Sequence, residues 1–398
     1  MTRRLLAKLR LEPRKAYALR LRFAKAVLSC PAPRGGTSSK ACRNTCSHCH
    51  ESGLGRCLGS FGLVVALLAG GVFVGGSAPV STAPGAATLP IAGVDSIGLT
   101  VSDMDRALAF YTGVLPFIKV SDVEVSGRPF ELLTGIFGAR SRITRLRLGT
   151  EHIELTEFLA PKGRPMPADV RANDRIFQHI AIVVSDLTKA YALVRERGVE
   201  HASTGPQRLP DWNPNAGGIS AFYFRDPDRH FLELIAFPPG KGQGRWQDRG
   251  QIFLGIDHTA IAVNDTEETL GLYRDMLGLQ VAGESENFDV EQEHLNNVFG
   301  ARLRITALRA AAGPGIELLE YLAPRDGRPA PTDLRANDIA HWQTTLVAER
   351  LESLLPLARK HALALVSPGP VDTANSLAFR MGALVRDADG HGLRIVAR

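Results

Sequence analysis

IELTEFLAPKGRPMPADVRAND, residues 153 to 174, returns as IELLEYLAPRDGRPAPTDLRAND at 316 to 338. VDSIGLTVSDMDRALAFYTGVLPF (94 to 117) returns in the same way as IDHTAIAVNDTEETLGLYRDMLGL (256 to 279), so the chain repeats at an offset close to 162 residues. Each half also repeats within itself. FQHIAIVVSDLTKAYALVRERG (177 to 198) has the strand-then-helix form of the opening segments, and FRDPDRHFLELIAF (224 to 237) has the closing form. A fourth unit runs from IAHWQTTLV (339 to 347) to VRDADGHGLRIVAR (385 to 398). The sequence is therefore built from four modules.

Each module opens on an alternating strand and passes through Ser-Asp or Asn-Asp into a helix of about three turns. Ser102, Ser185 and Asn264 are the expected helix caps, with Asp103, Asp186 and Asp265 favouring the first turn through the helix dipole. Module four lacks this cap. The rest of each module reads as short strands broken at turns such as Asp226-Pro227-Asp228 and Asp387-Ala388-Asp389-Gly390, which gives βαβββ and an α+β fold class.

Alternation splits each opening strand into two faces. Ile97, Leu99 and Val101, then Ile180, Ile182 and Val184, then Thr259, Ile261 and Val263 take the helix-packing face. The other face carries Ser96, Gly98 and Thr100; His179, Ala181 and Val183; His258, Ala260 and Ala262; and His341, Gln343 and Thr345. The closing strands point Glu154, Glu233, Glu317 and, as the exception, Arg394 the same way. A carboxylate turned inward between apolar neighbours is costly without a cation or hydrogen bonds. One His per opening strand and one Glu per closing strand together suggest a metal.

IDHTAIAV…LYRDMLGL, FQHIAIVVSDL and IELLEYLAP resemble the vicinal oxygen chelate superfamily: glyoxalase I, bleomycin- and fosfomycin-resistance proteins, methylmalonyl-CoA epimerase and extradiol dioxygenases. The resemblance spans roughly residues 93 to 398. It implies four βαβββ modules paired into two incomplete barrels, each able to hold a divalent metal between first and last strands. The expected first barrel covers 93–240 (modules 93–160 and 175–240), and the second covers 254–398 (modules 254–324 and 338–398). Carried over by position, the first barrel offers Ser96, Glu154, His179 and Glu233, and the second His258, Glu317, His341 and Arg394. The metal ligands expected are thus Glu154, His179, Glu233, His258, Glu317 and His341, with Zn, Ni, Mn or Fe as the ion. Ser96 leaves the first barrel a one-His, two-carboxylate set similar to that of glyoxalase I, in which Glu233 matches the proton-transfer base. Arg394 leaves the second a two-His, one-carboxylate set, or else neutralises Glu317 and keeps that barrel metal-free.

The formal charge of +6 is unevenly placed. Residues 1 to 57 hold 13 Lys+Arg against two acids, a net of +11, leaving −5 for the remainder. An acidic globule without a basic stripe is a poor partner for nucleic acid. All five cysteines also lie before residue 58, so the globular part has no disulfide. Residues 1–56 read as a basic leader, 57–78 (LGSFGLVVALLAGGVFVGGSA from Leu58) as an apolar signal peptide or membrane anchor, and 79–92 as a linker. This layout predicts an exported protein, periplasmic or membrane-anchored through that segment if it is not cleaved, and cytoplasmic if the leader is a start-site artefact. Cys46-Ser47-His48-Cys49-His50 matches a haem-attachment pattern but precedes the apolar run with no core around it, so it is set aside.

The resemblance predicts a metal-dependent enzyme acting on a small molecule with vicinal oxygens, either a glyoxalase-like lyase or isomerase or a ring-cleaving dioxygenase. The alternative is a non-catalytic protein that sequesters a small molecule, as in bleomycin resistance. A four-module chain can close both barrels alone, although a homodimer is compatible with the family. His152, His201, His230, His294, His361 and His391 are read as ordinary surface or core histidines, and Glu157 and Glu320 as structural. Arg164 and Arg328, in the Gly-Arg-Pro turns, are expected to tie down loops. Trp212 lies in LPDWNPNAGG, a loop that can cover the first barrel.

Overall fold

The computed structural model describes residues 88–374 and 377–397. The basic leader, the apolar run, its Cys and His motif and most of the linker lie outside the described residues. No helix among those described is long and apolar enough to cross a membrane.

Module 1 comprises β1 (Ile91–Val101), α1 (Met104–Gly113), β2 (Ile118–Ser126), α2 (Arg128–Thr134), β3 (Arg140–Leu148) and β4 (Glu151–Ala160). Module 2 has β5 (Gln178–Val184), α3 (Leu187–Glu196), the short β6 (Glu200–His201) and β7 (Gln207–Arg208), β8 (Ser220–Arg225) and β9 (Phe231–Ala236). Module 3 has β10 (Phe253–Val263), α4 (Thr266–Leu270) running on into a π-helical turn, β11 (Gln280–Asn287), α5 (Val290–Asn296), β12 (Arg302–Arg309) and β13 (Gly315–Ala323). Module 4 has β14 (Trp342–Ala348), α6 (Leu354–Lys360), β15 (Ala364–Leu365), β16 (Val371–Asp372), β17 (Met381–Arg386) and β18 (Gly392–Ala397). The βαβββ reading holds in modules 1 and 3 with a short extra helix before the third strand, and in modules 2 and 4 with the second strand reduced to two separate two-residue strands.

The modules do not pair in chain order. One sheet runs β15-β17-β18-β14-β1-β4-β3-β2 and joins module 1 to module 4; the other runs β11-β12-β13-β10-β5-β9-β8-β6 and joins module 2 to module 3. The expected barrels, modules 1 with 2 and 3 with 4, are therefore corrected to an outer barrel of modules 1 and 4 and an inner barrel of modules 2 and 3. The physical reason lies at the opening strands. Each pairs in parallel with its own closing strand and keeps one free edge, which here joins β1 to β14 and β10 to β5 antiparallel. Alternation fixes which face is buried but says nothing about which edge will join.

Contiguous modules instead share apolar cores behind the sheets. Ile97, Leu99, Met104 and Tyr111 of module 1 pack with Ile180, Ile182, Ala190 and Val194 of module 2, all almost fully buried. Ile261, Ile316 and Leu318 of module 3 do the same with Leu346, Leu354, Leu357 and Ile395 of module 4. Burial of each Leu or Ile contributes roughly 1.5–3 kcal/mol, so an Asp at Leu99 or Leu318 would break the layer.

The helix caps are the aspartates rather than the residues before them. Asp103, Asp186 and Asp265 sit extended and accept from the backbone N–H groups of Arg106, Lys189 and Glu268. Ser102 is committed elsewhere, donating its Oγ to Asp228 at 2.6 Å, and Ser185 donates to the Gln251 carbonyl. Glu157 and Glu320 brace the same helix starts through the N–H groups of Met104 and Thr266, which fits their structural reading.

Two connecting segments exchange clasps. Arg164 binds Asp338 and Asp333, and Arg328 binds Asp174 and Asp169, so both arginines hold loops as expected. The adjoining glycines are forced by close approach. A Cβ on Gly163 would lie 1.9 Å from the Asn337 carbonyl oxygen, and one on Gly327 would lie 1.8 Å from that of Asn173.

Candidate metal centre

The inner barrel gathers a complete set of donors. β5 supplies His179, β9 Glu233, β10 His258 and β13 Glu317, each on the concave face. Strand register explains the convergence. His179 lies opposite Ala260 and His258 opposite Ala181, while Glu233 pairs beside Ala181 and Glu317 beside Ala260. Two alanines thus occupy the centre and leave room between four longer side chains.

Nε2 of His179 lies 3.2 Å from Glu233 Oε2 and 3.5 Å from Nε2 of His258. His258 Nε2 is 3.7 Å from Glu233 Oε2 and 3.3 Å from Glu317 Oε2. Ligand atoms of His179, Glu233 and His258 all lie within 4.8 Å of one another, and Glu317 joins them through His258. Two imidazole nitrogens facing each other among carboxylate oxygens form a donor set that a proton or a divalent cation can satisfy. The donor chemistry of His179, Glu233 and His258 fits a divalent metal, which Glu317 could join.

The electrostatics say the same. Burial would push the His258 imidazole down, but the Glu317, Asp257 and Glu233 carboxylates outweigh it and raise it to about 9, so a proton takes the cation's place. Burial raises Glu317, reinforced by Asp257 and Glu233 and opposed by the two histidines. The Glu317 side chain is 21% exposed against 6% for Glu233, making it the donor nearer solvent.

A buried carboxylate orients the set. Asp257 accepts from His258 Nδ1 at 2.9 Å, from Trp246 Nε1 at 2.7 Å and from Arg309 Nη2 at 2.6 Å. Such a contact fixes which imidazole nitrogen faces the metal. His179 Nδ1 is buried and has no hydrogen-bond partner among the described residues. Asp257 and Trp246 were not singled out from sequence; the Asp-His pair at 257–258 was the available signal, because a carboxylate beside a candidate ligand is a common orienting device.

In the outer barrel the set has been replaced. Glu154 is ion-paired with Arg394 Nη1 at 2.6 Å, and Arg394 Nε donates to Thr345 Oγ1. Both charged side chains are almost wholly buried. Arg394 thus neutralises Glu154 rather than Glu317, and Glu154 is not assembled with His179 and Glu233. His341 is not in a ligand position either. Gly98 pairs with Gln343 where Ala260 pairs with His179, so Gln343 is the structural counterpart of His179. His341 takes the place of Phe177, its Nδ1 3.2 Å from Arg386. Burial and the Arg386 cation push its proton affinity well down. The two exceptions, Ser96 and Arg394, fall together in the outer barrel, and the inner one is left intact.

The loop carrying Trp212 reaches from module 2 to the β11 edge of module 3. Asn213 donates to Asn287 Oδ1 and the Glu286 carbonyl, Asn215 donates to the Glu284 carbonyl, and Trp212 stacks on Phe288 with centroids 4.5 Å apart. A module 2 loop is thereby fastened to module 3. The histidines read as ordinary include two structural ones: His230 bridges Asp226 and the Ile339 carbonyl, and His391 contacts the Ala262 carbonyl.

Comparison with known proteins agrees with this architecture. The profile of the Glyoxalase/Bleomycin resistance protein/Dioxygenase superfamily matches twice, over residues 93–234 and 255–395. A point mutant of glyoxalase I from Zea mays is similar at 16% identity, covering 77% of this chain and 92% of that one, with a TM-score of 0.51. A second point mutant of the same enzyme, in another crystal form, gives 16%, 77%, 93% and 0.51. At this identity the likeness speaks for the fold alone. No curated protein matches by sequence. With both halves matched by the profile and four modules forming two barrels, the chain belongs to the Glyoxalase/Bleomycin resistance protein/Dioxygenase superfamily.

Proposed function

We propose that this chain is a metal-dependent enzyme whose single centre lies in the inner barrel, and that it moves a proton on a small molecule with vicinal oxygens, as a glyoxalase-like lyase or isomerase. The supporting observation is the convergence of His179, Glu233, His258 and Glu317 from four strands. When bound, a divalent cation would supply Lewis-acid stabilisation of negative charge developing on the substrate oxygens. The protein's own residues do the rest. Asp257 orients the His258 ring, and the Asn213 and Trp212 loop ties module 2 to module 3 at the barrel's edge.

A two-His, one-carboxylate set is the common pattern for oxygen-activating iron. A second carboxylate in the set favours proton transfer over ring cleavage, because it supplies a base without dismantling the site. Sequence placed that base at Glu233. Glu317 is its counterpart across the barrel, and its exposure and raised proton affinity suit the task, so the two carboxylates are proposed as a pair serving the substrate. Steady-state kinetics on vicinal dicarbonyl substrates with metal-loaded E233Q and E317Q tests this. Loss of turnover with metal retained supports the base role; full turnover in both refutes it, and tight ligand binding by the wild type without turnover supports sequestration instead. Export through residues 57–78 is a further part of the proposal, checked by fractionating cells that express the full chain.

A further inference from the structure

We infer that the chain carries a second, metal-independent site: the cavity between modules 3 and 4, where Arg386 binds the anionic oxygen head, carboxylate or phosphate, of a small molecule. The internal repeat supplies the control. Arg225 in module 2 and Arg386 in module 4 hold the same place, each at the end of the strand before the closing one. They are 9% and 8% exposed. Their Nη groups make matching contacts: Nη1 donates to the Arg229 or Gly390 carbonyl, and Nη2 to the Val170 or Leu334 carbonyl.

What surrounds the rest of each guanidinium differs. Arg225 Nε lies 3.4 Å from Glu200 Oε1, and its Cζ lies 4.1 Å from the Phe231 ring centroid. Glu200 and Phe231 are the residues that face Arg225 on the two neighbouring strands. At the corresponding positions Arg386 faces Ala364 and Gly392, so both the carboxylate and the ring are gone. His341 Nδ1, 3.2 Å from an Arg386 Nη, adds only a neutral acceptor. Among the described residues Arg386 has no ion-pair partner, and its Nε has no hydrogen-bond partner yet keeps access to solvent. A largely buried cation without a counter-charge is costly, and an anion from outside would supply one.

Arg386 and Ala364 both line a cavity of about 830 Å³, within the range of small-molecule sites. The other buried charges around it are already engaged. Arg175 pairs with Asp389 at 3.4 Å, and Asp387 accepts from the Tyr273 hydroxyl and from the N–H groups of Asp389 and His391. Glu268 and Lys360, exposed at the rim, carry opposite charges. The unmatched charge is therefore that of Arg386, at the place where module 2 supplies a carboxylate of its own. None of the four proposed metal ligands lines this cavity.

The probes are benzoate and phenyl phosphate, which share a body and differ in the head. Titrated by calorimetry into the full chain, at least one is expected to bind saturably, and the tighter of the two identifies the head. Ala364→Glu, at an exposed position, restores to Arg386 the carboxylate that Glu200 gives Arg225, and should weaken binding about tenfold, the equivalent of one charge-assisted contact. Ala364→Gln, of similar size without the charge, should keep the dissociation constant within about threefold of wild type. Metal content should stay unchanged in both, which separates this site from the inner barrel. Saturable binding of neither probe, an unaltered dissociation constant in Ala364→Glu, or equal weakening by Ala364→Gln overturns the inference.

Discussion

Replacing Arg394 by Met is the sharpest test of the buried ion pair that fills the outer barrel's counterpart of the donor set. The substitution leaves the Glu154 carboxylate, 5% exposed, without the guanidinium that binds it at 2.6 Å. Removing one partner of a buried pair costs about 3–5 kcal/mol, whereas replacing both by apolar groups of similar volume is often neutral. At roughly 2–4 °C per kcal/mol for domains of this scale, Arg394→Met should lower the thermal midpoint by at least roughly 6 °C at pH 7.5. Arg394→Met with Glu154→Met should recover most of that loss. Differential scanning calorimetry of the wild type and the two variants measures both shifts. A midpoint within 2 °C of wild type for Arg394→Met, or a double variant no better than the single, refutes the reasoning.

Other expectations follow from the same geometry. Asp257→Asn keeps the shape but removes the charge that orients His258, so metal affinity should fall about 10–100-fold, measured by competition with a chelating dye; affinity within twofold of wild type would count against an orienting role. Because the His258 imidazole sits at about 9 without metal, uptake at pH 7 must release a proton, and apparent affinity should rise close to tenfold per pH unit between 7 and 8.5; a flat profile contradicts it. Asp174 is buried, which opposes its ionisation, but Arg328 and backbone N–H groups hold its carboxyl below the usual range. That contribution is present above the unfolded value near ~3.9 and disappears as pH falls through the folded one. Arg328→Ala should therefore destabilise at pH 7, with the gap narrowing below pH 4; a gap that widens in acid would be inconsistent.

Much of this was legible in the residues, and the gaps have physical causes. Alternation put His179, His258, Glu233 and Glu317 on inward faces, and all four meet. The partner of each module was not legible, because the free edges of β1, β5, β10 and β14 look alike to any local pattern. The His341 error has a specific origin. The repeat offset grows from 162 at Val94 and Ile256 to 163 at the closing strands and 164 at Arg171-Ala172-Asn173-Asp174 against Arg335-Ala336-Asn337-Asp338, through extra residues that include Asp326. At 164 the residue matching His179 is Gln343, as the register shows. Counted from that tetrapeptide, His341 corresponds to Phe177 and falls outside the ligand set.

Metal stoichiometry tests the central claim most directly. Elemental analysis of the full chain, purified without chelators, should find one divalent ion per chain, lost in His258→Ala and His179→Ala and kept in His341→Ala. Two ions per chain, or loss in His341→Ala with retention in His258→Ala, would contradict a single centre built from modules 2 and 3.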